Sequence, residues 1–300
     1  NNSANDSAFF TTTLNPAITT FPYNEGFENG NGNWVSGGVN STWAVGIPTG
    51  TVINSAANGF NAYVTNPAGD YLDGDASFVI SPCFDFSSLN APQIKMNIWY
   101  DSESSWDGAV LQMTTNDGIT WTQVGAFGNP NNWYNDNTIN GLQTAGFTGD
   151  GWTITGGLGS GGWLLAEHDL PAAANQPSVR FRIFHGSDGS VTRDGFAFDD
   201  ILILDAPATD LGVTSIVSPV TGCGLGTADS VCIALTNYGS SPTMNVPVVF
   251  EFNNQLFTDT VFGTLNPGDT TIFCFSTTVN VSTNGTYTIK SYSMAANDGN

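Results

Sequence analysis

Asp199 and Asp200 stand side by side inside an otherwise apolar run, Asp194-Gly195-Phe196-Ala197-Phe198-Asp199-Asp200-Ile201-Leu202-Ile203. Burying an unpaired carboxylate costs several kcal/mol, so such a strand needs something that compensates the charge. In an extracellular β-protein the cheapest compensation is a hard cation held by oxygen ligands. Far upstream, Asn24-Glu25-Gly26-Phe27-Glu28 opens the same region with further carboxylates. Together the two segments suggest a β-sandwich whose first and last strands meet at a calcium ion, a binding or structural chemistry rather than a catalytic one. The turn Asp70-Tyr71-Leu72-Asp73-Gly74-Asp75 is a second oxygen-rich candidate through Asp70 and Asp73. It lacks the length and final Glu of an EF-hand, and a plain solvated hairpin accounts for it as well.

Other chemistries leave less trace. The two histidines, His168 and His185, lie in no metal or nucleophile motif. His185 continues the alternation of Val179, Phe181 and Ile183, which makes it a strand-end core residue before it is a base. No Gly-x-Ser-x-Gly elbow, HExxH or phosphate loop occurs. A glycosidase needs two carboxylates, one with a raised pKa, and nothing in the sequence singles out a pair among 26 acids. The sequence is therefore read as non-catalytic.

Those carboxylates must be positioned by strands. Ile94, Met96, Ile98 and Tyr100 alternate with Lys95, Asn97 and Trp99, and Val179, Phe181 and Ile183 alternate with Arg180, Arg182 and Phe184, giving one core face and one wetter face each. Asn116-Asp117-Gly118 between Val110–Met113 and Thr120–Val124 predicts a hairpin. No segment carries a helical period; Ala172-Ala173-Ala174 is short and lies between Pro171 and Pro177. Recurrent short strands separated by turn residues argue for a sandwich. The glycine- and asparagine-rich stretch from Gly125 to Gly162 is long enough to be functional or ordered by an ion. Trp133, Tyr134, Trp152 and, just beyond it, Trp163 could there stack on sugar rings or contact a protein; alternatively they cap the open edge of the sandwich.

Asp205-Ala206-Pro207-Ala208-Thr209 reads as a domain boundary, followed by a new series of strands from Asp210 to Tyr292 at immunoglobulin-like spacing. The expected organisation is a segment or linker over 1–20, a sandwich over 21–206 and a second one over 207–300. The chain begins at Asn1 without Met, which reads as a processed piece, and stops one strand short of a comfortable sandwich, so more protein is expected to follow. In Val231–Leu235 and Ile272–Phe275 the core-facing residues leave Cys232 and Cys274 on the opposite face of neighbouring strands, close enough to bridge if the registers match. Cys83 and Cys223 remain as a second pair or as free thiols, and the sequence leaves three connectivities open.

With 26 Asp and Glu against five Lys and Arg, the formal charge is −21, which repels nucleic acid and anionic membranes and attracts divalent cations or basic partners. The alternative is that the acidic balance only keeps the protein soluble in salty water. No run of about 18 apolar residues is present, so no membrane-spanning helix is expected.

Several ordered motifs carry a resemblance: Glu25-Gly26-Phe27-Glu28, Trp43, Asn61-Ala62-Tyr63, Val79-Ile80-Ser81-Pro82-Cys83-Phe84-Asp85-Phe86-Ser87, Trp106-Asp107-Gly108-Ala109, Asp117-Gly118-Ile119-Thr120-Trp121 and Gly195-Phe196-Ala197-Phe198-Asp199-Asp200-Ile201. Over about residues 21–205 the chain resembles the MAM-like jelly-roll family, in the form found in large secreted and surface proteins that Bacteroidota-type bacteria export by the type IX system. It departs from animal MAM domains in lacking their cysteine pattern. Residues 207–300, with Asp210-Leu211-Gly212-Val213, Asn237-Tyr238-Gly239 and Leu265-Asn266-Pro267-Gly268, resemble CARDB-like, immunoglobulin-like adhesion modules. The first resemblance implies a structural metal ion held by Glu28 and one or both of Asp199 and Asp200; adjacent strand residues point to opposite faces, which favours one of the pair. The triplets at Ser7, Ser230, Thr260 and Thr270 look like the O-glycan acceptor pattern of the same bacteria.

The expectation is thus an all-β chain, a jelly-roll β-sandwich followed by an immunoglobulin-like β-sandwich. Its expected role is a calcium-stabilised adhesion or structural module of a large secreted or cell-surface protein. The alternative is a carbohydrate-binding accessory region of a secreted hydrolase. Expected partners are a protein or glycan surface or copies of the chain itself, with no nucleic acid and no direct membrane insertion. Secretion also predicts an oxidised Cys232–Cys274 pair.

Overall fold

Alternating side chains can bury one face of each strand only against a second sheet, and in a computed structural model of the chain they do so twice. The structure describes residues 16–156 and 159–295. They divide into two compact units, Asn1–Asp205 and Ala206–Asn300.

The first unit contains β1 (Tyr23–Glu25), β2 (Val35–Val39), β3 (Ala44–Gly46), β4 (Ala62–Val64), β5 (Ala76–Ile80) and β6 (Pro92–Asp101). It continues with β7 (Gly108–Thr114), β8 (Thr122–Gln123), the short helix α1 (Asn140–Thr144), β9 (Leu164–Asp169), β10 (Arg180–Gly186) and β11 (Gly195–Asp205). One antiparallel sheet runs β3-β4-β11-β6-β9, with β1 also paired to β11; the other runs β2-β5-β10-β7-β8. Strand β6 shows why: Ile94, Met96 and Ile98 are fully buried while Gln93, Lys95 and Asn97 are not. Facing them across the core stand Leu111, Phe181 and Ile183 of the second sheet. This is the jelly-roll β-sandwich that the sequence predicts. The β7–β8 connection is longer than expected. Strand pairing resumes only at Thr122↔Met113, because the Thr114 and Asn116 side chains take the N–H groups of Gly118 and Thr120 that a tighter hairpin would give to the ladder.

The second unit contains β12 (Leu211–Ser218), β13 (Asp229–Asn237), β14 (Thr243–Phe252), β15 (Gln255–Leu265), β16 (Thr270–Val279) and β17 (Ile289–Ser293). Two three-stranded sheets, β12-β13-β16 and β15-β14-β17, form an immunoglobulin-like sandwich around Val231, Ile233, Leu235, Val248 and Phe250. Asn253 and Asn254, with φ of 50° and 62°, make the two-residue turn that pairs Phe252 with Gln255. Cys232 lies directly opposite Cys274 in the β13–β16 ladder, and the two form a disulfide. Cys83 and Cys223 are free.

That bond closes a loop with a sequence separation of 42. On the chain-entropy account such a closure stabilises by about 4 kcal/mol. A Cys232→Ala/Cys274→Ala variant is expected to lower the calorimetric melting temperature of the second unit and to leave that of the first unchanged.

Candidate functional site

Strand β11 pairs with β6 in register up to Asp199↔Asn97 and resumes at Leu202↔Lys95, so one extra residue bulges out of β11. Asp200 sits in that bulge with φ of 48°. Immediately beyond it β1 joins the same strand, Glu25↔Ile201 and Tyr23↔Ile203. The chain then turns at Phe27, whose φ of 57° lets its N–H donate to Glu25 Oε1 at 2.7 Å. The Phe27 ring is completely buried against Trp34, Tyr63 and Phe198, with centroids 5.4 Å from Tyr63 and 5.5 Å from Phe198. Edge-on aromatic contacts of this kind add about 0.5–1.5 kcal/mol per pair beyond burial. They fix Glu25 and Glu28 on either side of the anchor.

The result is a polar cleft of about 350 Å³ lined by Asn24, Glu25, Gly26, Glu28, Asn29, Gly32, Asn58, Gly59 and Asp200. Each of its three carboxylates has one oxygen tied and one left over. Glu28 Oε1 accepts the N–H groups of Phe60 and Asn61 at 2.9 and 2.7 Å. Asp200 Oδ2 accepts Asn97 Nδ2 at 3.0 Å, and Glu25 Oε1 takes Phe27 N–H. The remaining oxygens have no hydrogen-bond partner among the described residues. Glycines make room for them: a Cβ on Gly59 would lie 2.5 Å from the Glu28 carboxyl carbon, one on Gly26 3.1 Å from Asp200 Oδ1, and one on Gly32 would strike the Glu25 carboxylate. An all-oxygen donor set with no cation of the chain ion-paired to it among the described residues suits a hard ion such as calcium.

Asp199 does something else. Its Oδ2 accepts the N–H groups of Ala57 and Asn58 at 3.0 and 3.4 Å, and its Oδ1 that of Asp200 at 2.8 Å. It is fully buried, and burial pushes its pKa up to about 6 against the lowering effect of those donors. The structure therefore places Asp200 on the cleft wall and Asp199 behind it, holding the Asn58–Gly59 segment that forms the opposite wall. Asp70 and Asp73 are exposed in their turn and line no part of this cleft.

Sequence reasoning missed a second acidic group. Among the described residues, carboxylate oxygens that all lie within 4.8 Å of one another belong to Glu103, Asp107 and Asp188. Asp107 is fully buried, accepts Tyr71 Oη at 2.6 Å and Asp188 N–H at 2.8 Å, and burial raises its pKa to about 6. Burial, then the hydrogen bond to Asp107, drives the Tyr71 hydroxyl far above its ordinary value. Next to it runs a hydrogen-bonded chain in which Ser102 Oγ lies 3.3 Å from His185 Nε2, and His185 Nδ1 3.0 Å from Asp75 Oδ2. The order matches a catalytic triad, but Ser102 and His185 are fully enclosed and Asp75 is 2% exposed. Here it braces the residue that follows β6 in one sheet to β10 of the other. Nothing local marks it, since its members are scattered over more than a hundred residues of chain; only the inward alternation of His185 was legible.

Three of the expected contact residues are core. Trp133, Tyr134 and Trp152 are at most 2% exposed. Tyr134 Oη both donates to Leu111 O and accepts Leu111 N–H, Trp133 Nε1 donates to Val124 O, and Trp152 Nε1 to Asn132 O. The long insertion thus folds back and caps β7, spending each polar tip on a backbone group. Trp163 is half-buried, packed on Trp99 and bonded to Ser55 O. Of the sugar-acceptor candidates, Ser230 and Thr270 are exposed, Thr260 is partly buried, and Ser7 lies outside the described residues.

No family model matches the chain. Bacillopeptidase F of Bacillus subtilis (strain 168) is 25% identical over 202 residues, which is 67% of this chain and 12% of that protein, so the chain spans about an eighth of its relative. The K1 cleaved adhesin domain of Lys-gingipain from Porphyromonas gingivalis W83 is 15% identical, with 61% of this chain and 98% of that chain covered and a TM-score of 0.34. The tandem CBM22-1–CBM22-2 domain of Paenibacillus barcinonensis Xyn10C is 11% identical, covering 93% and 90% at a TM-score of 0.32.

Replacing Tyr134 by Phe takes the hydroxyl from Leu111 N–H, while Leu111 O keeps the N–H of Val124, and is expected to cost about 1–3 kcal/mol of stability in urea unfolding. A surface contact residue would show no such loss.

Proposed function

We propose that the chain is a non-catalytic, calcium-stabilised adhesion or structural module of a larger secreted or cell-surface protein. The observation that carries this reading is the acidic cleft, where glycines leave space beside three carboxylates and each carboxylate keeps one oxygen without a partner. An ion there would take Glu28 and Asp200 as ligands, with Glu25 beside them and Asp199 positioning the wall. Glu28 and Glu25 would offer the oxygens that their backbone donors leave over, a mixed donor set that calcium's variable coordination tolerates. The ion would tie β1 to the bulge of β11, so the two ends of the first sandwich would be pinned together. Export by a type IX route, O-glycosylation at exposed Ser230 and Thr270, and attachment to a protein or glycan surface or to further copies belong to the same proposal.

A second reading is a carbohydrate-binding accessory region of a secreted hydrolase. It is favoured by one observation: the relative that matches two thirds of this chain carries the name of a peptidase and extends far beyond the matched part. In that setting the present sandwiches would again bind rather than cut.

Chelation separates these proposals from a metal-free fold. At a calcium concentration a hundredfold above the dissociation constant, the first unit is expected to gain about 2.7 kcal/mol. EDTA is expected to lower its melting temperature, and Glu28→Gln and Asp200→Asn, which keep the loop and Asn97 hydrogen-bond acceptors, to abolish the calcium response. An EDTA-insensitive melt together with a metal-free elemental analysis would refute the calcium claim.

A further inference from the structure

The chain has only five Lys and Arg, and two of them, Arg180 and Arg182, share one face of one strand. Lys95 pairs with Glu167 at 3.3 Å and Arg193 approaches Asp101 at 3.9 Å. Neither Arg180 nor Arg182 ion-pairs with a carboxylate among the described residues. Instead each guanidinium is fixed along one edge by neutral oxygens. Arg180 Nε and Nη2 donate to Ser81 O at 3.2 and 3.1 Å, and Arg182 Nε and Nη2 both donate to Gln112 Oε1. The Nη1 group of each has no partner among the described residues. In a chain of charge −21, two cations held in place and left without a counter-charge are unusual.

Their surroundings are flat. Arg182 lies across the ring of Trp121, with its central carbon 4.5 Å from the centroid, and 5.5 Å from that of Phe78. Gly37 on β2 lies against the Phe78 ring, where a Cβ would approach to 3.1 Å. The ladder registers Val35↔Ile80, Ile80↔Arg182 and Arg182↔Gln112 extend the same outward face across four strands, and Val35 at its rim is 58% exposed. The other part of this face is closed, since Phe147 covers Phe184 with a centroid distance of 4.7 Å. The open part is a ribbon of ring, guanidinium and ring.

We propose that this outer face of the β2-β5-β10-β7-β8 sheet binds an oligosaccharide carrying a carboxylated sugar. Arg180 and Arg182 would receive the carboxylate through the unused edges of their guanidinium groups, a geometry that arginine offers and lysine does not. Phe78 and Trp121 would take the apolar face of a neighbouring pyranose ring. A sheet face offers no free backbone ladder, so it does not suit an extended acidic peptide, which would pair at an edge strand. A ligand of low charge avoids the repulsion that a long polyanion would meet, because at physiological salt charges beyond about 8 Å are largely screened. The cleft at Glu28 and Asp200 lies apart from this surface and its calcium chemistry is not required for it.

Trigalacturonic acid and its fully methyl-esterified form, titrated calorimetrically into the whole chain, test the proposal, with a glutamate hexapeptide as the third ligand. The acid is expected to bind, the ester at least tenfold more weakly, and the hexapeptide not measurably. Arg182→Gln is expected to lose at least tenfold in affinity, and Arg182→Lys to fall well short of wild type despite its charge, while in both variants calcium shifts the melt by as much as in the wild type. Equal binding of acid and ester, equal binding by Arg182→Gln, tighter binding of the hexapeptide, or no binding of the acid would each overturn it. None of those outcomes touches the calcium-dependent melt, so the two proposals fail separately.

Discussion

A loop without regular structure must still find acceptors for its backbone N–H groups, and in this chain that requirement organises the first sandwich. Between β3 and β4 the segment 52–61 makes few ladder bonds. Carboxylates serve it instead: Asp194 Oδ2 takes Val52 and Ile53 N–H at 2.5 and 2.7 Å, Asp199 takes Ala57 and Asn58, and Glu28 takes Phe60 and Asn61. Three acids from two distant parts of the chain thus hold one loop, two residues at a time. Charge-assisted bonds of this sort are stronger than neutral ones, which suits a segment with little else to fix it. The same use of carboxylates recurs in the second unit, where Asp259 Oδ2 accepts the Ser276 N–H and hydroxyl at 2.9 Å. Much of the acidic excess is therefore structural. Acids here meet backbone donors where other proteins would supply lysine and arginine.

The acidic cleft follows from that arrangement. Once Asp199 is committed to the loop, the bulge in β11 turns Asp200 to the other side, toward the turn that Phe27 anchors in the core. Loop, bulge and turn converge with glycines at the points of closest approach. Each carboxylate spends one oxygen on the fold and retains one, and the retained oxygens share the cleft. Structure and proposed ion binding thus depend on the same side chains, which is why amide replacements that preserve the acceptors discriminate between the two roles.

Strands such as β6 and β10 were legible because alternation is a local property, and two short alternations put Cys232 and Cys274 on one face, while their register came only with the ladder. The pair Asp199–Asp200 was conspicuous for the same reason, as charge in an apolar run. What distinguishes one aspartate from the other was not legible, because a bulge is decided by the partner strand and by a loop more than a hundred residues away. The aromatic insertion left two readings open, a contact surface or a cap on the sandwich, and burial decides for the cap. Trp133, Tyr134 and Trp152 sit among glycines and asparagines, which looks like an exposed loop, yet their indole and phenol groups bond backbone atoms of β7 and its neighbours. The enclosed Ser102–His185–Asp75 chain and the Glu103–Asp107–Asp188 group arise only when two sheets are stacked, and no spacing announces them.

The central claim is that a cation joins the first strand to the late acidic strand. Amide hydrogen exchange followed with and without calcium addresses it at the residues concerned. The account predicts added protection at Asn24–Glu28, at Ala57–Asn61 and at Asp199–Ile201, with β13 and β16 of the second unit unchanged. Exchange that is the same in both conditions at these three segments, or protection confined to Glu103, Asp107 and Asp188, would contradict it.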